Sequence, residues 1–230
     1  MKNFYYKNMR YFFAFLGILL FIPLSSRAEE WTVGVGQSLY LDRGNGIWYQ
    51  NGFPHDLDLK GNVWSITVSD NINTWLDWDV GFISLGTVHS NAIATPSDAN
   101  YNGATGSCIG KCWPLSNFVG EGRSRGFTLD LAPFTYVHGF KISGYLGLYV
   151  NRSTWGETVY NWVATEDGEQ HTITANARPE WKAQFHGGFA VRYGNVSVRY
   201  SYVKNPIGQL PDYISIWRAT QSVTVNWTFK

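Results

Sequence analysis

The chain has 230 residues, of which 44% are hydrophobic and only 15% charged, with a formal net charge of +1. That balance argues against a nucleic-acid binder, which needs a strongly basic face. Beyond residue 28 no stretch approaches 18 apolar residues, so a helical membrane span is excluded as well.

Residues 1–28 read as an export leader. Lys2, Lys7 and Arg10 give a positive start, Tyr11 to Leu24 is apolar, and Ser26-Arg27-Ala28 is a small-x-small cleavage site. The apolar run, about 14 residues, is short for a spanning helix. The mature chain is expected to begin at Glu29. Without Lys2, Lys7, Arg10 and Arg27 it carries 14 basic and 17 acidic residues. Its length, residues 29–230, suits one all-β domain. The whole chain holds 11 Trp, 14 Tyr and 24 Gly. Abundant Trp and Tyr suit the girdles at membrane–water interfaces; a soluble β-sandwich with a rich core would share this composition.

A first strand is predicted over Trp31–Leu41, where Trp31, Val33, Val35, Leu39 and Leu41 alternate with smaller or polar residues and Gln37 breaks the apolar face. A loop follows over Asp42–Gly61. The second strand, Asn62–Ser69, sets Trp64, Ile66 and Val68 against Ser65, Thr67 and Ser69. Leu57 and Leu59 are out of phase with Trp64, which suggests a bulge near Gly61. After the turn signal Asp70–Asn73, the third strand, Thr74–Leu85, carries Leu76, Trp78, Val80 and Phe82 on one face and Asp77 and Asp79 on the other.

Gly86–Gly122 reads as a long loop rich in Asn, Ser, Gly and Pro; loops of that length are normally functional or disordered. It holds Cys108 and Cys112 in GSCIGKCWP. An exported chain meets an oxidising compartment, so a local disulfide is expected. A metal site would need more ligands, and no His neighbours the pair.

The clearest pattern is the hairpin Arg125–Asn151. Phe127, Leu129 and Leu131 oppose Thr128 and Asp130; then Phe140, Ile142, Leu146, Leu148 and Val150 oppose Lys141, Ser143 and Tyr145. Period-two alternation reads as antiparallel strands. The intervening His138-Gly139 fits a two-residue turn that needs positive φ. Strands of roughly 9–11 residues cross a bilayer at a tilt. A third loop, Arg152–Arg178, precedes strands at Pro179–Arg192 and Val196–Val203. A fourth loop, Lys204–Ser215, precedes the last strand, Ile216–Phe229.

The connections alternate long and short, with four long loops at one end and both termini at the other. That is the expectation for an all-β, eight-stranded antiparallel up-and-down transmembrane β-barrel over residues 29–230. The pattern resembles the small eight-stranded bacterial outer-membrane barrels of the OmpA/OmpX type across the whole mature chain. The last strand, with Val225, Trp227 and Phe229, is similar to that family's C-terminal assembly signal, although Lys230 follows the aromatic. The resemblance implies the bacterial outer membrane as location, membrane lipid, lipopolysaccharide and the barrel-assembly machinery as partners, a monomer, and no cofactor. It is nearly silent on activity. A lipocalin-like soluble barrel is the rival; it would carry the apolar face inward, and periodicity does not distinguish the two.

On the barrel reading, Asp77, Asp79 and Asp130 share the lumen with Lys141, Lys182, Arg192, Arg199, Arg218 and His186. An eight-stranded barrel is just wide enough to be filled by side chains, and buried charges there must pair. A salt-bridged interior is the expectation, with Asp130–Arg218 as one candidate pair; an ion path or a catalytic cluster is the alternative. Some eight-stranded barrels modify lipid A. Here Arg199-Tyr200-Ser201-Tyr202 lacks the His-x-Ser pair of the deacylases, and His186 precedes Gly187-Gly188; only His89-Ser90 leaves a loop nucleophile open. Arg123 and Arg125, where the fourth strand meets the outer loops, are placed to contact lipopolysaccharide phosphate. The expected role is therefore a non-catalytic surface barrel acting through four outer loops, with a lipopolysaccharide-modifying enzyme and a small-solute pore as alternatives.

Overall fold

The computed structural model describes residues 30–41, 46–50, 53–94, 102, 105, 107–110, 112–163, 169–176, 180–204 and 219–229. The leader, the start of the last expected strand (Ile216–Arg218) and Lys230 lie outside them. The described residues form β1 (Glu30–Leu41), β2 (Gly46–Gln50), β3 (Phe53–Asp58), β4 (Lys60–Asn71), β5 (Leu76–Ala94), β6 (Ser116–Val137), β7 (Phe140–Val163), β8 (Gln170–Asn176), β9 (Glu180–Tyr193), β10 (Val196–Val203) and β11 (Ala219–Phe229). Every pairing is antiparallel. Eight of these strands form a closed ring, β1–β4–β5–β6–β7–β9–β10–β11, with β11 returning to β1 through Trp31↔Phe229 and Leu41↔Ala219. The chain is thus an all-β, eight-stranded antiparallel up-and-down barrel.

The short turns fall at one end, as expected. His138 and Gly139 take φ of 50° and 83°, and Gly194 takes 58°. At the other end the strands outrun their predicted limits. The expected loop Gly86–Gly122 is sheet at both ends, because β5 continues to Ala94 and β6 begins at Ser116. The first loop contributes the hairpin β2–β3, which pairs onto β5; the third contributes β8, which pairs onto β7. These segments escaped the alternation test for a physical reason. In these segments glycines and polar residues interrupt the alternation, as in Gly120-Glu121-Gly122, so period two carries little hydrophobic signal.

The bulge expected near Gly61 lies across the pair, on β5, where the register shifts between Ser84 and Thr87 and Gly86 adopts φ of 83°. Leu59, between β3 and β4, points inward and is fully buried.

The distribution of polarity overturns the lipocalin-like rival. Outward side chains are large and apolar: Phe185 is 72% exposed, Leu146 66%, Val35 62% and Leu131 53%. Inward ones are polar: Asp130 is 1% exposed, and Ser201, Thr224, Asn226 and Thr228 are buried. A soluble barrel would reverse this, since exposing such a wall to water forfeits about 25 cal/mol per Å². The ion-paired groups of the lumen lie in its short-turn half. Toward the outer end Tyr40, Leu59, Val63, Leu85, Val88, Tyr149, Trp155 and Val203 pack into an apolar plug.

Candidate functional site: the charged lumen and the outer rim

Lumen chemistry begins with register. Asp79 lies directly across from Asp130, so two inward carboxylates face each other between β5 and β6. Such a pair repels unless a cation bridges it. Arg199 on β10 does so, with Nη1 3.3 Å from Asp79 Oδ2 and Nη2 2.7 Å from Asp130 Oδ2. The other oxygen of Asp130, Oδ1, is 2.6 Å from His186 Nε2. Gly147 sits opposite both Asp130 and His186, and a Cβ there would lie 2.1 Å from Asp130 Oδ1; the glycine leaves the room that the carboxylate fills.

Nearer the short turns, Lys141 is ion-paired with Asp77, and Arg192 holds Glu30 through two contacts of 2.5 and 3.1 Å. The cations also use aromatic faces. Arg199 lies 3.7 Å from the Tyr145 ring centroid, and Lys141 lies 4.0 Å from that of Phe134. The Tyr145 hydroxyl donates to Tyr200 O at 2.7 Å and meets Ser201 Oγ at 2.5 Å.

Asp77, Asp79, Asp130, Lys141, His186, Arg192 and Arg199 are therefore brought into the short-turn half of the lumen. Lys182 faces inward but opposite Asn151, higher in the barrel, and forms no ion pair with a described residue. Arg218 lies outside the described residues, so the candidate pair Asp130–Arg218 gives way to Asp130–Arg199–Asp79 with His186. Glu30 was missed because it stands one residue before the first alternating apolar position; its parity with Thr32 and Gly34 was the available signal.

Beside these groups runs a cavity of about 100 Å³, lined among others by Thr32, Asp79, Lys141, His186 and Arg199. It is the size of a few waters. The apolar plug closes it above. There the polar tips are satisfied within the plug: Tyr149 Oη meets Ser124 Oγ at 3.2 Å, Ser153 donates to Ser124 at 3.0 Å, and Tyr40 donates to Gly86 O at 3.0 Å. This arrangement can brace the wall from inside.

On the outer rim, Arg123 and Arg125 alternate with the buried Ser124 and point outward, as their expected role requires. The register adds a residue not singled out from sequence. Arg152 stands directly across from Arg125, and Trp181 directly across from Arg152. Only knowing which strands pair could reveal that cluster. His89 and Ser90, adjacent on β5, point to opposite faces, with His89 exposed and outward, so they do not form a nucleophile–base pair. Further out, Glu157 faces into the barrel opposite Gly120. Burial raises its carboxyl above the ordinary 4.5, and a hydrogen bond with Trp155 partly offsets that.

Cys108 and Cys112 are disulfide-bonded, closing an exposed loop. Val225, Trp227 and Phe229 line the outward face of β11, each about half exposed.

No family model matches the chain, and no curated protein matches it. Similar solved structures include two of one outer-membrane protein. One is Ail, the attachment invasion locus protein of Yersinia pestis, in complex with the heparin analogue sucrose octasulfate, at 10% identity and a TM-score of 0.39 over 87% of this chain and 99% of that one. The other is the Yersinia pestis outer membrane protein Ail in a phospholipid bilayer nanodisc, at 12% identity and a TM-score of 0.32 over 88% of this chain and all of that one.

Proposed function

We propose that this chain is a monomeric bacterial outer-membrane barrel whose work is done at the cell surface by its four outer loops and strand extensions. One observation carries the reading: the ring is closed, its wall is apolar and aromatic, and its ion-paired lumen is blocked by a buried plug. A sheet with that polarity is at equilibrium only in hydrocarbon. On this reading residues 1–28 are an export leader, and the strand ending at Phe229 is the segment taken by the barrel-assembly machinery. The short turns lie in the periplasm, and Arg123 and Arg125 meet lipopolysaccharide phosphate. The plug speaks against a pore, and the divergence of His89 and Ser90 removes the hydroxyl–imidazole pair that a lipid-modifying enzyme would have used.

The test is fractionation of cells expressing the full chain, followed by gel migration with and without heating. An outer-membrane band that shifts on boiling, from a chain starting at Glu29, is the expected result. A band in the soluble fraction overturns the proposal.

A further inference from the structure

The strand register writes one row of outward side chains around half the barrel: Trp64 on β4, Ser84 on β5, Arg125 on β6, Arg152 on β7 and Trp181 on β9. The row beneath it is wholly apolar, Ile66, Phe82, Phe127, Val150 and Ala183. Aromatic rings join the two rows. Trp64 and Phe82 lie 5.3 Å apart, Phe82 and Phe127 5.3 Å, and Phe127 and Trp181 stack at 6.4 Å. Two guanidiniums thus stand side by side on an aromatic arc, where hydrocarbon contact ends and polar contact begins.

Like charges directly opposite in a sheet repel. No described carboxylate forms an ion pair with Arg123, Arg125 or Arg152, and Arg152 Nε is buried without a hydrogen-bond acceptor. An anion held between the two arginines would supply the missing acceptor and cancel the repulsion, and arginine's fork is matched to phosphate.

A second feature adjoins this pair. The register shift between Ser84 and Thr87 opens a cleft of about 480 Å³ on the outside of the wall. Gln37, Asp58, Lys60, Asn62, Trp64 and His89 line it. These groups include both donors and acceptors, and they sit beside an indole: the surface a polyhydroxylated ring requires. The outward carboxylates Asp58 and Glu121 flank His89 and outnumber Lys60 at the upper end of the cleft, so the anionic end of a ligand belongs below, at the arginines, which have no described carboxylate beside them.

We infer that the cleft and the Arg125–Arg152 pair together form a site for a phosphorylated sugar lipid, with sugar in the cleft, phosphate on the guanidiniums and acyl chains along the apolar row. This rests on the proposed membrane residence and extends the phosphate contact proposed for Arg123 and Arg125 to a defined site.

The experiment uses the full chain in detergent micelles, with binding read by native mass spectrometry. The probes are a bisphosphorylated, acylated glucosamine disaccharide, its dephosphorylated form, phosphatidylglycerol, and inorganic phosphate. The phosphorylated sugar lipid is expected to bind best. Arg125→Gln and Arg152→Gln are each expected to weaken it about tenfold, the loss of one charge-assisted hydrogen bond. Asn62→Ala is expected to weaken the sugar lipid and leave phosphatidylglycerol unchanged. Equal binding by the double arginine variant overturns the inference, as does equal binding of phosphatidylglycerol, or full competition by inorganic phosphate. The variants are also run unheated and heated on gels. Folded, membrane-resident variants that bind like the parent refute this site alone, whereas a parent that never reaches the membrane refutes the residence reading beneath it.

Discussion

Asp130 is the residue on which the lumen depends. It is 1% exposed and is held by Arg199 and His186 at once. Removing it leaves the part-buried Arg199 guanidinium with Asp79 alone, 3.3 Å away, and takes the charged partner from His186; breaking a buried pair in this way typically costs about 3–5 kcal/mol. Asp130→Ala is therefore expected to lower the urea midpoint in detergent sharply, while Glu121→Ala, exposed on the outer rim, leaves it nearly unchanged. Equal midpoints would mean that the charged face is solvated. Glu157 makes a pH prediction. Its carboxyl is raised in the folded protein, so the neutral form is favoured there. Its contribution is full below the unfolded value of 4.5 and is lost as pH climbs through the higher folded value. Glu157→Gln should remove that loss and flatten the midpoint against pH from 4.5 upward. A variant with the same slope as the parent would contradict the assignment.

Among the elements, β6 shows how far alternation alone reaches. The sequence places Leu129 outward and Thr128 inward, and the structure agrees, with Thr128 7% exposed. Leu129→Arg, in the middle of the apolar wall, should cost about 2–4 kcal/mol, whereas Thr128→Ala should be mild. Barrel yield after refolding into lipid separates the two, and equal yields would refute the face assignment. The same strand shows where alternation stops. Ser116–Gly122 is strand, yet its glycines and mixed polarity gave no periodic signal. Pairing with β5 and β7, not propensity, fixes it there. The cysteine loop is the opposite case, local and self-sufficient. It closes so few residues that it removes little chain entropy. Cys108→Ser with Cys112→Ser should leave the heat-shifted band unchanged, and loss of that band would show that the loop supports the barrel.

For the whole molecule, the decisive feature is the division of the lumen into a lower half of paired charges and an upper half that holds the apolar cluster. Planar bilayers containing the parent protein are expected to stay electrically silent. Tyr149→Ala combined with Trp155→Ala, which removes two buried rings of the plug, should raise conductance. A parent that conducts as readily as that variant would mean that the plug does not seal.

Alternation and turn chemistry along the chain marked the eight strands of the ring, the residues that share a face, the turn at His138-Gly139 and the cysteine pair, but not the added strands β2, β3 and β8. Each depends only on neighbours a few residues away, through the two-residue period of a strand or the φ demands of a turn. Tertiary structure decided what lies between strands. The chain does not state that Arg199 bridges Asp79 and Asp130, that Tyr40 and Trp155 meet in a plug, or that Arg125 faces Arg152 beside a cleft. Those relations depend on register and ring closure, and the first of them joins residues 120 positions apart. Alternation is also symmetric between the two sides of a sheet, so inside and outside were settled only when the ring closed with its charges within.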